Sequence, residues 1–350
     1  MRMTGHVPRV AWGGSRGGGR QMRGQWRSAQ PCGPRTCARS PRRRTASTVS
    51  RARFLEASMA TLDPLVSMAP ASAAQPAARA AAYNATVAHR MEVAPGLMIL
   101  RVVPDGPPFP FTAGQYVVLG LKASAPRVAG TDDDPEGDPT SAGGDTLIRR
   151  AYSIASSSRA DEFLEFYLTL VTSGELTPRL FHLQANDRVY VGPKAVGVFT
   201  LDRTPGDRHV LLVGTGTGLA PYVSMLRSEL ACGGPRRFIV LQGARYSWDL
   251  GYRAELAVLA RRCPNSTYIP VISRASGDPT WRGPIGHLQD VLFSGVVERE
   301  TGLRLAPETF HVYLCGHPGM IEQAIAGLVA RGFHRDRGRE MGSLHIEEYW

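Results

Sequence analysis

What this sequence lacks narrows its reading first. Cysteine is sparse: Cys32, Cys37, Cys232, Cys263 and Cys315 are the whole complement. No pair has zinc-finger spacing and no close run could hold an iron–sulfur cluster, so no metal site is expected. An odd count without a disulfide framework fits free thiols in a reducing compartment, and hence a cytoplasmic protein. No apolar run approaches the roughly 20 residues of a membrane span, and there is neither the apolar core of a secretory signal nor an internal repeat. Acidic residues and lysine are absent from residues 1–55, which hold thirteen Arg. These outweigh the whole chain's net charge of +11, leaving the remainder slightly acidic. That remainder therefore lacks the basic face of a nucleic-acid binder.

What is present begins with a leader. Residues 1–55 are rich in Gly, Arg, Ser and Pro and bury too little apolar surface to offset the entropy of ordering, which predicts disorder. Two readings stand side by side. One is an organellar transit peptide, which would make the protein organellar. The other is a start codon placed too early in GC-rich DNA, with Met59 or Met68 as the first residue. An Ala/Pro stretch continues the leader to residue 82, and a folded pattern begins at Tyr83.

Residues 83–202 read as short strands separated by turns, over Tyr83–His89, Leu97–Val103, Gln115–Leu121, Arg150–Ala155, Phe163–Leu170, Arg188–Val191 and Val198–Leu201. This spacing predicts an antiparallel β-barrel. Residues 122–147, with Asp132-Asp133-Asp134 and several Gly and Pro, predict a disordered loop. Arg150 and Tyr152 share one strand face, where a guanidinium can grip a phosphate and a phenol ring can lie on a planar cofactor. Downstream, Thr177 and Pro178 suit the start of a helix, with Gly174 just ahead. Such a start offers free N–H groups to a phosphate.

From 207 to 350 unbroken apolar runs alternate with amphipathic stretches, predicting an α/β doubly wound parallel sheet. The strands are His209–Val213, Phe238–Leu241, Tyr268–Ile272 and Phe310–Leu314. The helices are about Ala220–Leu230, Arg253–Arg262, Gly286–Leu292 and Pro318–Ala330. Gly214-Thr215-Gly216-Thr217-Gly218 leaves the first strand and opens a helix, the context of a phosphate-cradling turn. It is not a Walker loop, and its glycines alternate. Where NAD sites usually carry an acid, the second strand ends in Ala244-Arg245; Arg274 follows the third and Arg282 comes soon after. Arginine there suits a 2′-phosphate, favouring NADP(H). Cys315 ends the last strand at the carboxyl edge, and the terminal Tyr349-Trp350 implies a tucked rather than a frayed chain end.

In order, Arg150-Ala151-Tyr152-Ser153, Gly174 to Leu180, Gly214 to Pro221, Ala244-Arg245-Tyr246, Val271 to Arg274, Leu314 to Pro318 and Glu348-Tyr349-Trp350 resemble the motifs of the bacterial ferredoxin(flavodoxin)–NADP reductases, from Tyr83 to Trp350. The resemblance implies FAD and NADP(H) as cofactors. Tyr152 and Tyr349 would cover the two faces of the flavin ring, Arg150 and Thr177 its diphosphate, with Ala151, Gly174 and Leu176 alongside. Ser153 would lie near flavin N5 and Trp350 near the adenine. Gly214, Thr215, Gly216, Thr217, Gly218, Arg245, Arg274, Arg282 and Gly316 would hold NADP, and Cys315 would line the nicotinamide position. Arg282 stands about one position from the expected Arg. Ser153, Cys315 and Tyr349 are the implied catalytic groups, and Tyr349 would move to admit nicotinamide. The implied partner is ferredoxin or flavodoxin, docking on Arg331, Arg335, Arg337 and Arg339, and a monomer is expected. Alternatives are a reductase serving an oxygenase or cytochrome, or a flavin- or nucleotide-binding regulatory subunit without turnover.

Overall fold

The computed structural model describes residues 83–107, 109–132 and 146–348, which fall in one compact unit. The expectations for residues 1–82 and for Tyr349 and Trp350 lie outside these residues.

Two sheets make up the fold. The first contains β1 (Ala85–Ala94), β2 (Leu97–Pro104), β3 (Tyr116–Lys122), β4 (Leu147–Ser153), β5 (Leu164–Thr169) and β6 (Arg188–Val191), in the order β4-β3-β6-β1-β2-β5. Every strand pairing in it is antiparallel. A bridge from Ile154, just past β4, to Phe166 in β5 brings the two edges together and closes the barrel. Period-2 patterning drives this: Val117, Leu119 and Leu121 point inward on β3 and are buried. A short helix, α1 (Thr177–His182), covers one end and contributes Leu180 and Phe181 to the same core.

The expected seventh strand at Val198–Leu201 is absent. Only Val196 bridges Tyr116 there, and after Gly197 (φ +117°) the chain runs out to an exposed Val198 and a 3₁₀ turn at Leu201–Arg203. The start of the 122–147 loop also departs from expectation. Val128 N–H donates to the Pro178 carbonyl and Asp132 N–H to the Thr172 carbonyl. The buried Arg179 guanidinium donates to the Ala123 carbonyl at 2.6 Å. Residues 123–132 thus lie on the turn before α1; residues 133–145 are outside the described residues.

The second sheet is parallel throughout: β7 (His209–Thr215), β8 (Phe238–Ala244), β9 (Ser266–Ile272), β10 (Phe310–Cys315) and β11 (Leu344–Glu347), in the order β11-β10-β7-β8-β9. Strand alternation sorts its apolar residues onto two faces. Leu211, Val213, Ile239, Leu241, Val312 and Leu314 pack with α4 (Leu288–Leu292), α5 (Val296–Thr301) and α6 (Pro318–Val329). Val210, Leu212, Val240 and Tyr313 pack on the other face with α2 (Ala220–Glu229) and α3 (Arg253–Arg262). That second core also takes in Ile99, Ala155, Tyr167 and Phe199 from the barrel side, so α2 faces the barrel.

One expectation about cysteine fails. Cys232 and Cys263 form a disulfide, with Cα atoms 4.6 Å apart across a sequence separation of 31. The turn after α2 and the end of α3 converge where Asn265 accepts from Gly233 N–H and donates to the Ala231 carbonyl. Cys315 keeps a buried thiol.

Candidate functional site

In the parallel sheet, β7 and β10 are neighbours, but the chain leaves β7 toward β8 on one side, while β11 lies on the other. This reversal of strand order is a topological switch point, the place where open α/β sheets bind ligands at their carboxyl edge. A cleft of about 1840 Å3 opens there and extends to β4 of the barrel.

On the sheet side the cleft is built by backbone. Thr215 ends β7, Gly216, Thr217 and Gly218 follow it, and Gly316 and His317 follow β10. A Cβ on Gly218 would lie 2.6 Å from the Cys315 carbonyl oxygen and 2.8 Å from Gly316 N, so only glycine lets the loop rest on the end of β10. Gly316 has φ +130° and would drive a Cβ into Thr215. The Thr215 hydroxyl accepts from His317 N–H at 2.9 Å. His317 in turn caps α6, its Nδ1 accepting from Gly319 N–H at 3.1 Å. Arg245 and Arg274 lie just beyond β8 and β9, line the cleft and are exposed. Their strand ends are tied by Arg274 N–H to the Arg245 carbonyl at 2.9 Å.

On the barrel side the cleft is built by side chains. Tyr152 is half-buried, and burial pushes its phenol well above the ordinary tyrosine range, so the ring stays neutral. Arg150, with a 55% exposed side chain, pairs with Glu175. Ala151, Gly174, Leu176 and Thr177 complete this wall. Thr177 is not the N-cap. That position falls on Leu176, and the Thr177 hydroxyl closes the preceding turn by accepting from Val171 N–H and donating to the Val171 carbonyl.

Four expected residues stand back from the lining. Ser153 and Gly214 are buried strand ends, and a Cβ at Gly214 would meet the Tyr222 ring. Cys315 is wholly buried, and its carbonyl is what packs against Gly218. Arg282 turns onto its own loop, donating to the Pro279 and Trp281 carbonyls, both at 2.8 Å.

Sequence reasoning missed Tyr116, Tyr167, Glu175 and His287, which line the cleft. Tyr116 lies opposite Ser153 in the antiparallel register, a pairing across the 122–147 loop that no local pattern encodes. Tyr167 sits in the run Phe163–Leu168, and no local pattern says that it faces the cleft.

A polar network holds β11, the strand that leads to the terminal aromatics. His311 Nδ1 and His345 Nε2 share a hydrogen bond of 2.9 Å. Asp336 takes a bidentate pair from Arg203 at 2.5 and 2.7 Å. Its Oδ2 lies 3.4 Å from His345 Nδ1. Tyr313 stacks on His345 with ring centroids 4.3 Å apart. Burial, with His311 adding, pushes His345 down to about 4. Burial alone would raise Asp336, but Arg203 more than offsets it and holds the carboxyl below its ordinary range.

Comparison with known proteins places this geometry. The oxidoreductase NAD-binding domain family matches residues 212–325. The flavodoxin/ferredoxin–NADP reductase of Escherichia coli K12 is 35% identical over 218 residues, 61% of this chain and 77% of that protein. This chain belongs to the flavodoxin/ferredoxin–NADP reductase family. The reductase also resembles the reductase component of phenol 2-monooxygenase from Pseudomonas sp. CF600, 32% identical over 73% of this chain and 64% of that one. A solved ferredoxin NADP+ reductase from Neisseria gonorrhoeae, with bound FAD and NADP, shares the fold at a TM-score of 0.60 and 22% identity, covering 76% of this chain and 97% of that one. Among the reductase's described residues, no helix is long and apolar enough to cross a membrane.

Proposed function

We propose that this reductase passes electrons between NADPH and a one-electron carrier, ferredoxin or flavodoxin, through FAD held in the cleft. The observation that carries the reading is the cleft itself, which joins the Arg150–Tyr152 face of the barrel to the switch-point loops of the parallel sheet. At about 1840 Å3 it exceeds the roughly 300–1,000 Å3 of a pocket for one small ligand, and its two walls suit two nucleotides.

The flavin, when bound, supplies a hydride acceptor that returns electrons singly; the protein supplies position and electrostatics. Tyr152 offers a neutral ring face to it. Arg150, drawn from Glu175, and the N–H groups of Glu175 to Thr177 hold its diphosphate, while the Gly174 N–H closes the turn onto the Val171 carbonyl. The Gly216–Gly218 turn receives the NADPH diphosphate, and Arg245 and Arg274 take the 2′-phosphate by charge-assisted hydrogen bonds. Ser153 and Cys315 support the ring positions from behind; the roles the family resemblance implies for Tyr349 and Trp350, covering the second flavin face and packing near the adenine, fall on residues outside the described ones. Arg282 is assigned no contact.

The carrier is acidic and docks on the exposed Arg331, Arg335, Arg337 and Arg339. The reductase acts as a monomer. Reversing charge at Arg335 and Arg337 should slow carrier reduction and flatten its salt dependence, with ferricyanide reduction unchanged; an unaltered salt dependence removes this docking face. NADPH-dependent ferricyanide reduction by the wild type tests the enzyme reading itself, and its absence would leave a regulatory binding subunit. The likeness to a monooxygenase reductase component favours one second reading, an oxygenase as acceptor. Faster reduction of an oxygenase than of ferredoxin or flavodoxin would select it.

A further inference from the structure

The walls of the cleft belong to different sheets, so the separation of any two rings held there depends on how the sheets are joined. The joint is polar and buried. Glu165 on β5 is fully buried, yet its carboxylate is met by three donors. Oε1 accepts from Arg227 Nη1 at 2.7 Å and from the Tyr252 hydroxyl at 2.8 Å, and Oε2 accepts from Arg101 Nε at 2.7 Å. Arg227 also donates to the Ala155 carbonyl at 3.0 Å and holds Glu255 through Nε and Nη2 at 2.7 and 2.8 Å. Burial alone would raise the Glu165 carboxyl, but the Arg227 charge and these hydrogen bonds hold it below its ordinary range.

The placement of these groups ties the two walls together. Arg227 lies on α2, the helix that opens directly from the Gly216–Leu219 turn. Ser224 and Ser228 share its helical face. Ser224 Oγ donates to the Ser156 carbonyl at 2.8 Å, and Ser228 Oγ accepts from Ser158 N–H at 2.9 Å. Residues 155–158 continue directly from β4, the strand of Tyr152. Two residues from Glu165, Tyr167 lines the cleft and meets Tyr252 edge-on, centroids 5.3 Å apart. Tyr252 keeps φ +58°, unusual for a bulky residue, to reach Glu165. A buried ion pair is weak evidence for stability, since apolar packing would serve as well. Its hydrogen bonds fix a geometry.

We propose that Glu165 and Arg227 are positioning residues, clamping the nucleotide-loop helix to the continuation of the flavin strand and so setting the ring-to-ring distance for hydride transfer. The proposal rests on the assignment of the cleft to FAD and NADPH. A misplacement near 1 Å costs about 100-fold in rate.

The test compares wild type with Glu165→Gln in anaerobic mixing with NADPH. The expected result is flavin reduction at saturating NADPH slowed about 10-fold or more. The long-wavelength charge-transfer absorbance of the complex should weaken, while FAD content and NADPH affinity stay within about 2-fold, an arginine-to-nucleotide contact being untouched. Hydrogen exchange at residues 155–158 and in α2 should quicken even without nucleotide. Should Glu165→Gln fail to fold, Arg227→Lys, which keeps the charge but not the forked donors, carries the same expectation. A lower melting temperature with unchanged reduction rate and charge-transfer band would overturn the clamp and leave a structural ion pair. A wild type that NADPH does not bleach would overturn the cofactor reading and the clamp with it.

Discussion

The two walls of the cleft prepare for the same kind of ligand by opposite means. The sheet wall is steric: Gly218 and Gly316 bring two backbone loops into contact at the switch point. The barrel wall is electrostatic: Arg150 pairs with Glu175, and Arg179 anchors the turn through the carbonyls of Ala123 and Glu175. The glycine contact of the sheet wall tolerates no added atom and is indifferent to salt, whereas Arg245 and Arg274 on the same wall are screened by it. An electrostatic wall tolerates substitution in the fold and loses its grip on a ligand gradually.

The largest effect expected from this contrast is at Gly218. In Gly218→Ala, the new Cβ meets backbone at 2.6 to 2.8 Å, which nothing flexible can relieve. The loop must shift at a cost of about 3 kcal/mol, about 100-fold in NADPH affinity, with FAD content unchanged. Titration of the flavin spectrum with NADPH checks this. Loss of FAD as well would show that the walls are not independent.

A smaller effect is expected at Arg150. Its exposed pair with Glu175 adds little to folding, so Arg150→Ala should move stability by no more than about 0.5 kcal/mol. FAD should bind about 10-fold more weakly, as for loss of one charge-assisted hydrogen bond, and the difference from wild type should shrink as salt rises. Equilibrium dialysis of the flavin at two ionic strengths measures it.

Acid should separate the two sheets next. His345 sits near 4 when folded and near 6.5 unfolded, and His311 is also lowered, chiefly by burial. A depressed histidine favours the fold while it is neutral. Its contribution is present above the unfolded value and is lost as pH falls from about 6.5 toward 4, at roughly 1 kcal/mol per pH unit. Asp336, lowered by Arg203 against burial, adds in the same direction at still lower pH. Thermal unfolding from pH 7.5 to 4.5 should therefore weaken first at β10 and β11, and His345→Gln should flatten the slope. An unchanged slope would take the histidine pair out of the account.

How much of this was legible in the sequence follows from the same contrast. The parallel sheet announced itself because strands buried on both faces carry unbroken apolar runs, as Phe238–Leu241 does, and α3 falls where the pattern put it, Arg253–Arg262. β11 went unseen because Leu-His-Ile-Glu is short and half polar; the open edge of β10 and the His311–His345 bond make it a strand. Val198–Leu201 looked like a strand but has no neighbour to pair with after Gly197. In the site, the glycine loop and the strand-end arginines were visible because local sequence fixes them. The Arg150–Glu175 pair, Tyr167, the Glu165–Arg227 joint and the Cys232–Cys263 bond depend on contacts across 25 to 62 residues, which no local pattern encodes.

The central claim is that one cleft brings a flavin and NADPH together. Anaerobic mixing of the full chain with NADPH and, separately, NADH, followed by flavin absorbance, tests it most directly. The account predicts a yellow protein bleached quickly by NADPH and slowly by NADH. A yellow protein that neither nucleotide bleaches, or a colourless one, would contradict it.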